Sequence, residues 1–288
     1  MNTTKNKIAV GPVQFGMKYG INNKTGQISV DEVKKILNYA LSNNITFLDT
    51  SPLYGQSEEV IGKCLSEISG KFNIVSKLPD CKNSELNNIF FNSLEMLKIE
   101  KIYGYLFHHY TGFINHVSNY YELLKLKEKG LIEKIGFSLY YTSELEYLFE
   151  NGYQFDIVQF PYNVFDQRFS KYFSILKNKN IDIFARSIFL QGLVFKKPAE
   201  LPNSLSKFSD KLDLLQQISE NTETTITNLC LSFVIENNSV DKVVLGVDNI
   251  EQLKELVSIK SIKITDVLRK ELNELNETDE KLILPINW

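Results

Sequence analysis

ITFLDTSPLYGQSEEVIGKCLSEISGKFNIVSKL, residues 45–78, reads as a strand, a turn, a helix and a second strand. Residues 45–48 are an apolar run that stops at Asp49. Ser57 reads as the cap of the helix that follows, with Glu58 and Glu59 as solvated charges in the first turn, where acidic groups complement the helix dipole. Val60, Ile61, Cys64, Leu65 and Ile68 recur at helical spacing and form its buried stripe. Residues 72–76 are again apolar and run into Lys77. Two strands joined by a helical crossover imply parallel pairing.

The same rhythm extends in both directions. A strand at 8–10 is followed by the turn-rich GPVQFGMKYG, residues 11–20, and then by a helix opening at Ser29. Ser29 and Glu32 have capping-box spacing, and Val30, Val33, Leu37, Ala40 and Leu41 share a face. Leu86, Ile89, Phe90, Leu94 and Leu97 mark a third helix, before a strand at 103–107 and a helix at 116–129 that stops at Gly130. His116, at that helix start, reads as a surface residue. Further strands are expected at 135–137, 155–160, 181–185 and 242–245, with helices at 143–150, 170–179, 211–220, 225–236, 250–257 and 265–275. An irregular segment spans 187–206, and a tail of 276–288 ends in DEKLILPINW. Eight strand–helix units without a Pro/Ser linker favour an α/β fold of one domain over residues 1–288, a closed (β/α)8 TIM barrel. The rival open sheet calls for G-x-G-x-x-G after the first strand, which GPVQFG does not match.

Composition narrows the function. Net charge is −3, from 32 basic and 35 acidic residues, so there is no polyanion-binding footprint and nucleic acid is not expected as a partner. Of three cysteines, Cys64 and Cys230 fall in helical patterns and Cys81 in a turn; with no C-x-x-C, neither a disulfide framework nor a metal site is indicated. No leader-like apolar region opens the chain and no apolar run reaches ~18 residues, so a cytoplasmic protein without a membrane span is expected. The 19 Phe and 14 Tyr are read mainly as core.

In a (β/α)8 barrel the chemistry sits at the C-terminal ends of the strands. The polar residues that fall there are Gln14, Asp49, Lys77, His108, Ser138, Gln159 with Asn163, Arg186 with Ser187, and Asp248, and Tyr54 follows Asp49 by five residues. Singly, each has an ordinary reading: a turn-forming Asp, an edge Lys, a satisfied loop hydroxyl or amide. Jointly they make a proton-donating set. A phenol titrating near ~10 is lowered by an adjacent ammonium, and a carbonyl reduction needs an acid to protonate the oxygen.

FLDTSPLYGQSEEVIGK, VSKLP, YLFHHY, IGFSLY, VQFPYN, ARSIFLQGL and VVLGVDNIEQLKEL, in this order along nearly the whole chain, resemble the aldo-keto reductase superfamily. The resemblance implies an NAD(P)H-dependent oxidoreductase that turns a small-molecule aldehyde or ketone into an alcohol without a metal. Tyr54 would be the proton donor, Lys77 would lower its pKa, Asp49 would hold Lys77, and His108 would orient the carbonyl. His109 is its neighbour, but three apolar residues and then His is the register that favours His108. Ser138, Gln159 and Asn163 match the nicotinamide contacts. Arg186, Ser187, Leu190, Gly192, Gly246, Asp248, Gln252 and Glu255 match positions along the rest of the dinucleotide.

Two positions depart from the family pattern. Arg186 stands where many members have an aromatic residue against the nicotinamide. The guanidinium is expected either to favour reduced over oxidised cofactor or to reach an anionic group of the substrate. Asp248 stands in a stretch where NADPH-preferring members place Lys or Arg, and Lys254 is the nearest cation in sequence; NADPH and NADH both stay open. GPVQFGMKYG, ARSIFLQG and the PINW end resemble bacterial members found with surface-polysaccharide and sugar-biosynthesis genes, which implies a keto or aldehyde sugar derivative. Tyr19, Tyr110, Tyr140, Tyr141 and Trp288 are candidates for contact with it, and the tail 276–288 for a substrate-loop contact. Two alternative functions are a cofactor-binding sensor with little turnover and a barrel enzyme using Lys77 as a Schiff-base nucleophile, which an acidic neighbour at Asp49 disfavours. Oligomeric state is not legible in the sequence.

Overall fold

Ile8–Gly11 (β1), Phe47–Asp49 (β2), Asn73–Leu78 (β3), Ile102–Phe107 (β4), Ile132–Ser138 (β5), Ile157–Pro161 (β6), Asp182–Arg186 (β7) and Lys242–Gly246 (β8) are the strands of the computed structural model, which describes residues 3–20, 23 and 26–288. Each pairs in parallel with the next, and β8 returns to β1, with Ile8 opposite Val243 and Gly11 opposite Gly246. The sheet closes on itself, which is the (β/α)8 barrel that the alternation implies. Closure leaves no strand with an unpaired edge.

The strand residues divide by alternation. Ala9, Phe47, Val75, Leu106, Ile157 and Phe184 form a small cluster that fills the barrel interior. Their neighbours Ile8, Val10, Leu48, Ile74, Tyr105 and Phe107 belong to the larger core between strands and helices. Successive side chains on a strand point to opposite faces, so one apolar run feeds both layers. The interior is thus packed, and Asp49, Lys77, Ser138, Gln159 and Arg186 stand towards the C-terminal ends of their strands. Among the described residues no helix is long and apolar enough to cross a membrane.

Three local expectations are corrected. Ser29 accepts the Glu32 N–H at 3.3 Å, but the Glu32 carboxylate turns away to the Ile250 N–H at 2.8 Å, so half of the capping box is replaced by a tie between helices Val30–Ser42 and Ile250–Ser258. Ser57 is the first residue inside the helix Ser57–Leu65, not its cap. Its hydroxyl donates to the Pro12 carbonyl at 2.9 Å and meets the Thr50 hydroxyl at 3.0 Å. Glu58 is not a solvated charge: it is 4% exposed and accepts the Ser76 hydroxyl of β3 at 2.6 Å. Burial raises its pKa. For Ser57 and Glu58 the reason is tertiary, since both side chains at the start of this helix are buried rather than facing water.

The 187–206 segment holds short 3-10 turns, Leu190–Phe195, Pro198–Glu200 and, running past its end, Asn203–Phe208. The helix placed at 116–129 is Ser118–Glu128, and Gly130 ends it with φ +73°. His116 is one-third exposed and lies 3.6 Å from Asp80.

Candidate active site

The turn after β2 is built to hold Tyr54. The Thr50 N–H donates to Val75 O at 2.8 Å, which extends the ladder one residue past Asp49. Gly55 then takes a left-handed φ of +59°, open to glycine without strain. Its backbone meets that of Gly16 so closely that a Cβ on Gly16 would lie 1.8 Å from the Tyr54 carbonyl oxygen. Two glycines therefore let the loop after β1 press against the turn that carries the phenol.

Four expected residues come together at this point. Lys77, 1% exposed, donates to Asp49 Oδ2 at 2.9 Å, to Thr50 O at 3.0 Å and to the Tyr54 hydroxyl at 3.3 Å. Burial alone would lower the Lys77 pKa, but the Asp49 charge and the tyrosine outweigh it and raise it. The amine stays an ammonium, which is unfavourable for Schiff-base chemistry. The Tyr54 phenol was expected to fall towards neutrality; instead burial, partly opposed by Lys77, holds it above its ordinary value. It is a protonated acid with a cation ready to receive its conjugate base.

His108 follows β4, with its N–H on Leu78 O at 2.9 Å, and its ring meets the Tyr54 ring edge-on at 5.6 Å between centroids. Burial first, then Lys77, His109 and Arg186, push its pKa down to about 2, so the imidazole is neutral. Its Nδ1 lies 2.9 Å from the Ser51 hydroxyl, which also accepts the Leu53 N–H at 3.1 Å. Ser51 carries no signal of this role in the sequence; its place two residues after Asp49 becomes informative only once β4 is known to lie across from that turn. His109 is not in the cavity wall; it stacks between His108 and Tyr140.

Asp49, Tyr54 and His108 open into a cavity of about 400 Å³ at the C-terminal mouth of the barrel. Gln14, Ser138, Gln159, Arg186, Ser187, Gly192, Gly246, Asp248, Gln252 and Glu255 line it, as do Tyr19 and Tyr140. Gln159 donates to Asp49 Oδ1 at 2.9 Å, and its Oε1, like that of Gln14, is buried without a hydrogen-bond partner among the described residues. Buried acceptors are rarely left unpaired, so both are suited to donors of a bound molecule. A Cβ on Gly246 would come within 3.0 Å of Gln14, so glycine keeps this wall bare. Unpaired amide acceptors, hydroxyls and a glycine-lined wall fit a nicotinamide dinucleotide. Across the mouth, Gln191 donates to the Tyr19 hydroxyl at 3.0 Å and Asn23 to Asp248 Oδ1 at 2.9 Å, tying the loop after β1 to those after β7 and β8.

Several candidates lie elsewhere. Asn163 is fully buried off the cavity; its Oδ1 accepts the Phe165 and Asp166 N–H groups and its Nδ2 donates to Ser187 O, so it shapes two loops. Leu190 has left-handed φ 47° and a buried side chain that does not line the cavity. Tyr110 packs on Phe113 and Tyr147, and Tyr141 precedes the helix Thr142–Glu150; neither reaches the cavity. Trp288 folds back on its own tail, with Nε1 on Leu282 O at 3.1 Å. The tail docks on the loop after β6 through Glu280–Arg168 at 2.8 Å and Glu277 N–H to Phe165 O at 2.8 Å, away from the cavity wall. Lys254 pairs with Glu251 at 2.8 Å on the surface and is likewise outside the wall.

A closed (β/α)8 barrel in which a buried Asp49–Lys77 pair meets Tyr54 beside His108, at a cavity in the C-terminal mouth, defines a class of carbonyl-handling oxidoreductases. Residues 7–277 match the model of the Aldo/keto reductase family, and the chain belongs to that family. It is an NAD(P)H-dependent oxidoreductase of small carbonyl compounds. Among curated proteins it is similar to the uncharacterized oxidoreductase YqkF of Bacillus subtilis, 23% identical over 244 residues that cover 76% of this chain and 78% of the relative. It is equally similar to the aldo-keto reductase YhdN of the same organism, 23% identical over 279 residues, covering 85% and 80%. Among solved structures, the holo form of aldo-keto reductase AKR11C1 from Bacillus halodurans superposes with a TM-score of 0.78 at 19% identity, covering 96% of this chain and 95% of that one. The glycerol dehydrogenase AKR11B4 from Gluconobacter oxydans does so at 0.74 and 19%, covering 97% and 92%.

Proposed function

We propose that the protein reduces an aldehyde or ketone to the alcohol with Tyr54 as the proton donor. When bound, the reduced nicotinamide supplies a hydride to the carbonyl carbon. The Tyr54 proton passes to the carbonyl oxygen as negative charge builds there, and water later returns a proton to the phenolate. The observation that carries this reading is the 3.3 Å contact of Lys77 Nζ with the Tyr54 hydroxyl, made by an ammonium that Asp49 holds in place. An ammonium beside the phenol stabilises the phenolate left by proton transfer, and so favours the charge arrangement of the transition state. Neutral His108 directs a ring nitrogen at the carbonyl oxygen. Ser138 and Gln159 would hold the carboxamide of the nicotinamide.

The adenosine end favours NADH. Asp248, Gln252 and Glu255 line the cavity there, and its only cation among the described residues is Arg186, by the catalytic groups. A carboxylate suits a free ribose 2′-hydroxyl and repels a 2′-phosphate.

The test is the loss of 340 nm absorbance with a panel of aldehydes, ketones and keto-sugars against NADH and NADPH, with Tyr54→Phe as the control. Removal of the phenol proton is expected to lower kcat by about 10²–10⁴ with cofactor affinity little changed. A Tyr54→Phe enzyme as fast as the wild type defeats the reading. Cofactor binding without turnover of any compound assigns a sensor instead.

A further inference from the structure

We infer that the substrate carries an anionic oxygen group, a carboxylate or a phosphate, that Arg186 holds beside the reacting carbonyl; this rests on the carbonyl-reductase reading. Arg186 ends β7 and lines the same cavity as Tyr54 and His108. Its charge is near enough to bear on the Tyr54 phenol and on both His108 and His109.

The guanidinium is held but not neutralised. Its carbon lies 4.1 Å from the Tyr140 ring centroid, so the aromatic ring covers one face. Nη2 donates to Leu139 O at 3.1 Å, and Nη1 lies at the 3.5 Å limit from the Ser187 hydroxyl. A guanidinium has five N–H donors in a planar fork, so most of its edge is unused. Among the described residues no carboxylate lies within ion-pairing distance of it. Glu144, the carboxylate whose titration it influences, accepts the Tyr140 and Tyr141 N–H groups instead.

The surrounding charges decide the sign of the missing partner. Lys77 is cancelled by Asp49, and the two histidines are pushed towards neutrality by burial. The catalytic end of the cavity therefore has one uncompensated positive charge, while Asp248 and Glu255 make the far end negative. A half-buried cation without a counterion is costly, and the cost is offset if the substrate brings an anion. A planar fork stacked on an aromatic ring is the arrangement that recognises carboxylate or phosphate oxygens. The dinucleotide also carries phosphates, so the test separates the two occupants.

Two matched pairs serve as probes with NADH at low ionic strength: 4-carboxybenzaldehyde against its methyl ester, and glyceraldehyde 3-phosphate against glyceraldehyde. The quantity read is the ratio of kcat/KM, charged over neutral, in the wild type, Arg186→Gln and Arg186→Lys. The expected result is a ratio of at least about tenfold in one pair, which names carboxylate or phosphate, falling towards one in Arg186→Gln and partly restored in Arg186→Lys. Ratios equal in wild type and Arg186→Gln overturn the inference. So does a loss of NADH affinity in Arg186→Gln with the ratio intact, which gives the guanidinium to the cofactor. If neither pair is turned over, calorimetry of benzoate against benzamide reads the anion site, and the wider carbonyl panel decides the reductase reading separately. Tighter benzoate binding that is lost in Arg186→Gln supports the site, and equal binding overturns it.

Discussion

Lys77 has three acceptors around one amine, yet burial rather than this ammonium decides the pH behaviour of the site. The phenol beside it stays protonated because burial outweighs the ammonium, and His108 stays neutral with a pKa of about 2. If Tyr54 is the proton donor, as proposed, the active form needs it protonated, and activity falls as pH rises through a Tyr54 pKa that lies above the ordinary phenol value. The rate of reduction is expected to be flat from about pH 5 to about pH 9, and a break near neutrality in the pH–rate profile would contradict this assignment. Ser51 sets the neighbouring imidazole. Its oxygen accepts the Leu53 N–H and lies 2.9 Å from His108 Nδ1, so it fixes the ring through that nitrogen and leaves Nε2 free of this contact. Ser51→Ala should lower kcat/KM roughly tenfold, the scale of one lost hydrogen bond, and shift the ¹⁵N signals of His108. Ser51→Thr should restore both. The reactive residue types were legible because Asp, Tyr, Lys and His recur at strand ends; Ser51 was not, because a serine in a turn has nothing in sequence to tie it to a histidine 57 positions away.

At the scale of elements, the strands were legible from apolar runs, and their observed ends differ by a few residues because ladder bonds to a neighbour extend or trim each run. β5 begins at Ile132, opposite Ile102, ahead of the 135–137 core seen in the pattern. Helix starts were less legible. Ser57 and Glu58 have the composition of a solvated first turn, yet β3 packs over them and leaves Glu58 with Ser76 as its partner. Its pKa is raised on folding, so the folded state binds the proton more tightly than the unfolded chain. The associated stability is fully present below the unfolded carboxylate pKa and is lost as pH rises through the folded one. Glu58→Gln should therefore raise Tm at pH 8, with the gain shrinking towards pH 4. Equal gains at both pH values in thermal melts would show that Glu58 is not carrying a buried charge.

At the scale of the molecule, barrel closure makes one cavity from residues far apart in the chain. Gln159 reaches Asp49 across 110 positions and Asn23 reaches Asp248 across 225. The cavity is electrically lopsided, positive at Arg186 and negative at Asp248 and Glu255. Asp248→Arg should reverse this at the proposed adenosine end and shift relative affinity towards NADPH over NADH by at least about tenfold, or about 1.4 kcal/mol. Fluorescence titration of both reduced cofactors, with no substrate present, reads the change. An unchanged ratio would mean that Asp248 does not face the ribose.

The amino-acid order alone determined the barrel, the strand ends that carry Asp49, Lys77 and His108, and the turn with Tyr54. Periodicity and strand-end polarity are local properties, and eight repeats of one unit leave few ways to close a sheet. Only the folded chain decided that burial holds the Tyr54 pKa above its ordinary value rather than letting Lys77 bring it down, that Ser51 meets the His108 ring, that Asn163 ties two loops, that Tyr110 packs on Phe113 and Tyr147, and that Arg186 has no counterion among the described residues. Each of these depends on which groups exclude water or share a hydrogen bond across the barrel, and desolvation and pairing are set by neighbours in space.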